Sequence, residues 1–316
     1  METYTRDKIA IIGMACRTAG ANSPSEVWDL LANSRDVQRD ISRFNVSAYH
    51  NPDHKLKRGL TKVKRAYLMD DDLVTSFDHG FFHIAPNEAP WMDPQHRHLL
   101  EVSYEAIESA GIPLDKFKGT DTGVFTGVES CDYSLVLGRD LDNSNRFVST
   151  GMSGCMAANR ISFFFNLSGP SLVINTACSS SMTALHQAAR ALEHGDCSMA
   201  LVCGSNIVLA PDMFVVASEM GFISPSGRCQ SFDMKADGYG RGEGVLVLVL
   251  KPLKVAIADQ DPIRAVLAGI RINHDGRTQG IMMPSAKSQE NNMRALYESK
   301  GIDTDTIQYV EAHVRP

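Results

Sequence analysis

The 316-residue sequence has no long apolar run, no excess of positive charge and no paired cysteines. Its longest apolar stretches, such as Val245–Leu250 and Met199–Cys203, are of strand length. A membrane span needs roughly 18 such residues, so no membrane association is expected. A net charge of −6 leaves no basic surface for nucleic acid. Met1–Lys8 is polar and carries both signs, which argues against a secretory leader. The seven cysteines (Cys16, Cys131, Cys155, Cys178, Cys197, Cys203 and Cys229) contain no CxxC pair. That excludes a zinc site of ordinary spacing, and an odd, scattered set argues against a disulfide framework. Buried small thiols in a reducing cytoplasm are the plain reading for most of them. Disorder is excluded by an apolar content of 43%, and the length suffices for one large or two ordinary domains.

What is present alternates between strand and helix. Lys8–Gly13 reads as a strand buried on both faces, and Ser25–Asn33 as a short helix opened by Ser23-Pro24. The basic stretch Asn51–Arg65 reads as a surface loop. Leu99, Val102, Ala106 and Ala110 fall at helical spacing, which predicts a helix over Pro94–Ala110 ended by Gly111-Ile-Pro113. Strands are expected at Thr122–Val128, Ser171–Asn175, Met199–Cys203 and Val245–Leu250, with a helix over Ser179–Glu193 stopped by Gly195. A second set follows Asp261-Pro262: strand Ile263–Asn273, helix Ser285–Ser299 and strand Gln308–Glu311. Units of this kind predict an α/β fold with covered sheets.

Asn175-Thr-Ala-Cys178-Ser-Ser-Ser181 joins a predicted strand to a predicted amphipathic helix. Cys178 therefore falls at or just before the first helical turn, where backbone N–H groups and the helix dipole favour a thiolate. The three serines leave room for a long thioester, and Ser179 is placed to cap the helix. From position alone, two readings stand: a buried structural thiol, which is the plainer one, or a nucleophile. The glycine-rich stretch Asp237–Gly244 precedes a strand, whereas a phosphate-binding loop follows one and opens a helix. Asp70-Asp71-Asp72 reads as a solvated loop, since consecutive carboxylates do not converge on a metal.

The cysteine segment resembles the active-site motif of the β-ketoacyl synthases, the decarboxylating condensing enzymes of fatty-acid and polyketide synthesis. The likeness runs through the chain in order. It takes in Ile9–Arg17, Trp91–Arg97, Asn159–Ser162, Gly169–Ser171, Gly227–Asp233, Ala236–Gly244, Asn273–Arg277 and Glu311–His313. Arg43–Val46, Leu68–Asp72 and Asn273–Gly280 resemble the fungal iterative type I, highly reducing polyketide synthases. The resemblance implies a thiolase-like fold of layered α-β-α-β-α architecture. Its N-terminal half would cover residues 1–252, and 261–316 would begin the second half.

The implied chemistry is acyl loading on Cys178, then decarboxylative condensation with a malonyl thioester, with His313 as one of two histidines that stabilise the enolate. No tightly bound cofactor and no metal are implied. Substrates would arrive on the phosphopantetheine of an acyl carrier protein, and the chain would pair as a homodimer through its N-terminal half. Asn175 stands where the family commonly has aspartate, which removes one negative charge. His96, His98 and His274 read as packing or structural residues, and His186 lies two turns from Cys178. The pattern departs at Val314-Arg-Pro316, before a second histidine, a lysine and a later oxyanion loop. The expectation is an incomplete second half with impaired condensation. The alternatives are a non-catalytic remnant or dimerisation and carrier-docking partner, or a gene reading broken after His313.

Overall fold

The computed structural model describes residues 8–53, 59–129, 132–140, 142 and 145–313. Cys131, the centre of the basic stretch (54–58) and Val314–Pro316 lie outside the described residues. The expected strands form as β1 (Ile9–Thr18), β2 (Gly123–Val128), β3 (Ser171–Ile174), β4 (Ala200–Asn206), β5 (Gly244–Pro252) and β6 (Ala265–Leu267). They make one mixed sheet in the order β3-β2-β4-β5-β1-β6. β2 runs parallel to β3 and β4, while β5 is antiparallel to both β4 and β1.

Successive side chains of a strand point to opposite faces, and both faces here are apolar. On β4, Leu201 and Cys203 enter one core while Ala200 and Val202 enter the other. The first core is covered by α2 (Pro94–Ser109) and α3 (Met156–Phe164), through Leu99, Val102, Ala106, Ile107 and Ile161. The second is covered by α4 (Ser180–His194), through Ala184, Leu185, Ala188, Ala189 and Leu192. Each large apolar side chain removed from water contributes about 1.5–3 kcal/mol. These two layers therefore fix the sheet between them. The ends follow the sequence signals. Ser23 accepts the Glu26 N–H to start α1 (Pro24–Ala32), Asp93 accepts the Gln95 N–H to start α2, and Gly195 stops α4 at φ 78°. A bulge between Ile11 and Gly13 shifts the register of β1. A Cβ at Gly13 would lie 2.4 Å from the Ala106 carbonyl oxygen, so the glycine lets α2 approach.

Several local expectations change. The stretch before Arg65 is not wholly a surface loop: Thr61 and Val63 are buried beneath α5 (Asp212–Glu219) in a third core with Ile41, Leu68, Phe214 and Ile223. Asp70–Asp72 is largely solvent-exposed as expected but is not a loop: it starts a short helix, Asp71–Thr75, with Asp70 and Asp71 ion-paired with Arg39 and Arg43. In the second set, the helix forms as α6 (Ala286–Lys300), capped by Ser285. The strand expected over Ile263–Asn273 shrinks to β6, which pairs with the outer side of β1. Gln308–Glu311 does not form a strand. A strand needs both a ladder partner and a face to bury, and no described residue after Ala256 is buried.

Candidate active site

β3 ends at Ile174, and the chain turns sharply before α4. Asn175 Oδ1 accepts the Ala177 N–H at 3.1 Å, and Asn175 Nδ2 donates to the Glu129 carbonyl at 3.4 Å. Ala177 is held at φ 56°, a conformation that costs an L-residue about 1–2 kcal/mol. The turn is closed by Ser180, whose hydroxyl accepts the Thr176 N–H at 2.9 Å and donates to the Ala177 carbonyl at 2.5 Å. Cys178 stands at the apex and is exposed, with Ser179 at the N-cap position and α4 beginning at Ser180. Exposure at a strained elbow removes the reading of Cys178 as a buried structural thiol. Ser179 does not cap with its side chain: its hydroxyl turns back to the Thr176 carbonyl (2.8 Å) and hydroxyl (2.9 Å).

The sheet is shaped to receive this elbow. A Cβ at Gly127 of β2 would lie 2.4 Å from Ser181 N and 2.5 Å from the Ser180 carbonyl carbon. The start of α4 therefore rests on β2 only because that position has no side chain. From sequence Gly127 is only a glycine bracketing a strand and Ser180 only one of three small serines; neither packing role is visible there. A glycine in a strand interior was the available signal for the first, whereas the clasp made by Ser180 has no sequence signature.

The other thiols differ. Burial pushes the Cys203 thiol up to about 12 and the Cys197 thiol up to about 11. Burial, with Glu105 nearby, also raises Cys16. Cys155 and Cys229 are exposed as Cys178 is, the first hydrogen-bonded with the Ser153 hydroxyl at 3.1 Å and the second accepting the Gly240 N–H at 3.4 Å, and neither stands at a turn from a strand of the central sheet into a helix.

The histidines separate cleanly. His313 lies in an exposed irregular stretch and makes no hydrogen bond among the described residues, so the structure does not join it to Cys178. His186 is half-buried on α4, its pKa lowered by burial and by Arg190. His96 is buried, and desolvation lowers it to about 3. His98 is buried against Arg17 and the Val74 carbonyl, as packing residues are. His274 is exposed and closes a local turn by accepting the Gly276 N–H.

The glycine-rich segment serves close backbone packing. A Cβ at Gly238 (φ 140°) would lie 2.3 Å from Ser224 N, and one at Gly240 would lie 2.2 Å from the Gly227 carbonyl oxygen. Its last residue before β5, Glu243, is buried and accepts the Met69 N–H (2.8 Å), the Val208 N–H (2.6 Å) and an Arg43 guanidinium N–H. Among the described residues no cluster of three or more His, Cys, Asp or Glu could hold a metal.

The structure thus sets an exposed cysteine on a strained turn, at the start of a central helix against a covered mixed sheet. The family model of the β-ketoacyl synthase N-terminal domain matches residues 6–256, and that of the C-terminal domain matches residues 264–315. The chain belongs to the β-ketoacyl synthase family. Among curated relatives it is 48% identical over 312 residues to hybrid PKS-NRPS synthetase 1 of Dothistroma septosporum, covering 97% of this chain and 8% of that protein. It is 46% identical over 313 residues to the highly reducing polyketide synthase sthA of Phaeosphaeria nodorum, covering 97% and 11%. Among solved structures, the ketosynthase from module 6 of the bacillaene synthase of Bacillus subtilis superposes with a TM-score of 0.87 at 41% identity, covering 96% of this chain and 50% of that one. An oxazolomycin ketosynthase domain from Streptomyces albus gives 0.88 at 33%, covering 94% and 51%. The fold is thus the thiolase-like ketosynthase fold. The chain spans about a tenth of the length of these curated relatives and about half of the matched ketosynthase chains. Nothing in these comparisons supports an impaired or non-catalytic chain.

Proposed function

We propose that this chain is the acyl-accepting part of a ketosynthase in polyketide synthesis, with Cys178 as nucleophile. The Cys178 thiolate attacks the carbonyl of an acyl thioester. A carbon–sulfur bond forms to the enzyme, the original one breaks, and the released thiolate takes a proton from solvent. In this reading the backbone N–H of Cys178 serves as an oxyanion donor. In the second half-reaction a malonyl thioester loses CO2, and the electrons of the broken bond form an enolate; the family resemblance, and not a contact among the described residues, gives His313 as the hydrogen-bond donor to its oxygen. The carbanion then attacks the acyl-cysteine, forming the new carbon–carbon bond and expelling the Cys178 thiolate. The acyl groups are carried on the phosphopantetheine of an acyl carrier protein.

The observation that carries this reading is the exposed thiol on the strained elbow between Ala177 and α4. Family membership supports the reaction class. A homodimer through the N-terminal half is supported by β3, an edge strand of the sheet among the described residues, whose Leu172 is 48% exposed, and by Phe163 on α3, which is 88% exposed. Sedimentation velocity checks that point. No helix among the described residues is long and apolar enough to cross a membrane, and we place the protein in the cytoplasm, where its thiols stay reduced.

The test is incubation with hexanoyl-N-acetylcysteamine and a malonyl-loaded carrier protein, followed by mass spectrometry. A hexanoyl adduct on the Cys178 peptide that disappears in Cys178→Ala is expected. An adduct on another cysteine, or none on a folded protein, overturns the assignment.

A further inference from the structure

We propose that Ser180 is a positioning residue for acyl transfer, holding the elbow so that the backbone N–H of Cys178 is aimed at the reacting carbonyl. The inference rests on Cys178 being the acyl acceptor and adds a second residue to that site. Ser180 is 4% exposed, although it lies only two residues beyond an exposed cysteine. Its hydroxyl is used twice, as acceptor for the Thr176 N–H and as donor to the Ala177 carbonyl. Those two groups flank the peptide whose next residue, Ala177, is held in the left-handed region. A bridge between them sets the dihedral angles on either side of Ala177, and hence the direction of the Cys178 N–H.

No other hydroxyl of the segment does this. Among the described residues the Ser179 hydroxyl donates to the Thr176 carbonyl and hydroxyl, and the Thr176 hydroxyl also pairs with that of Thr183. Asn175 reaches the Ala177 N–H, but from an exposed position where water competes. Removing the Ser180 hydroxyl leaves the Thr176 N–H without this partner and the Ala177 carbonyl with the Ser180 backbone N–H (3.0 Å) in place of two donors, which loosens the hold on Ala177. Sliding of the whole helix is opposed by Gly127, which packs directly against the backbone of Ser180 and Ser181. The expected response is a local rotation at residues 177–178.

The experiment is a double-mutant cycle on the full chain with Ser180→Ala, Ala177→Gly and both. Glycine adopts the left-handed region without strain and gains from this in either background, so the coupling is what is read: Ala177→Gly should gain more in Ser180→Ala than in wild type only if the clasp acts through Ala177. Three readouts are taken: the thermal midpoint, acylation of Cys178 by hexanoyl-N-acetylcysteamine, and alkylation of Cys178 by iodoacetamide. Alkylation needs a reachable thiolate and no oxyanion donor. For Ser180→Ala we expect a midpoint about 2–3 °C lower and acylation about tenfold slower, with alkylation within about twofold of wild type. The double variant should recover more than half of both losses. Additive losses in the double variant, or equal slowing of acylation and alkylation in Ser180→Ala, overturn the proposal. If wild type is alkylated at Cys178 but takes no acyl group, the acyl-acceptor reading fails, and the claim about Ser180 in acyl transfer falls with it. The melting cycle then still decides whether Ser180 clasps Ala177.

Discussion

Gly127→Ala is the sharpest test of how the sheet presents the nucleophile. The added methyl would lie 2.4 Å from Ser181 N, 2.5 Å from the Ser180 carbonyl carbon and 2.6 Å from Ser181 Cα. Unstrained contacts between such atoms fall near 3.5 Å, so the start of α4 must move away by about 1 Å. All three obstructing atoms are backbone, and no rotamer change can relieve them. Overpacking of this kind costs about 1–3 kcal/mol. For a chain of this length that lowers the melting midpoint by about 2–5 °C. The displacement falls on the turn that carries Cys178, and a 1 Å misplacement costs about a hundredfold in a geometry-dependent step. Gly204→Ala is the control, because its Cβ would meet only the Ser181 side chain at 3.1 Å and that of Leu246 at 3.7 Å. Differential scanning calorimetry and acylation of Cys178 from a thioester should show a large loss for the first variant and little for the second. A Gly127→Ala protein that melts and acylates like wild type would refute the packing argument.

Three further outcomes follow from the same structure. Arg43→Met leaves the buried Glu243 carboxylate without its cation and should cost about 3–5 kcal/mol in guanidinium unfolding. Burial already holds Glu243 above its ordinary value despite Arg43, so its folded form binds the proton more readily than the unfolded chain does. The loss should therefore shrink as pH falls from 7 toward 5, and a cost below about 1 kcal/mol at pH 7 would contradict the ion-pair reading. Burial pushes Glu101 up, but bonds to His98 and Arg17, with the charge of Arg17, outweigh it and hold the carboxyl below its usual range. Its stabilisation is present above the unfolded value of about 4.3 and is lost as pH falls through the lower folded value. Glu101→Gln should accordingly flatten the acid limb of stability against pH, and an unchanged limb would count against the network. In timed iodoacetamide labelling at pH 7.5, Cys178 should modify well before Cys203, whose thiol burial raises to about 12, and before Cys197 at about 11. Equal rates would mean that the folded core opens faster than it is labelled.

Local sequence was enough for everything that depends on near neighbours. The helix ends at Ser23, Asp93 and Gly195 form where capping chemistry places them. The strands β2 to β5 form where apolar runs meet turn residues, and Cys178 falls between strand and helix because those two periodicities meet there. Tertiary structure decided what depends on partners distant in sequence. Gln308–Glu311 has strand composition but no ladder to join, and the strand expected after Asp261 keeps only the three residues that pair with β1. Asp70–Asp72 is largely exposed charge, as its sequence suggests, but its ion pairs with Arg39 and Arg43, some 30 residues upstream, exist only in the folded chain. The elbow shows the division most clearly. Sequence put a thiol beside a helix start, but its exposure and the left-handed Ala177 beneath it come from the folded turn, as does the clasp by Ser180. The approach to Gly127 comes from β2, some fifty residues away along the chain. A hydrogen bond or a steric void exists only once both sides are in place, so no pattern in one segment could have announced them.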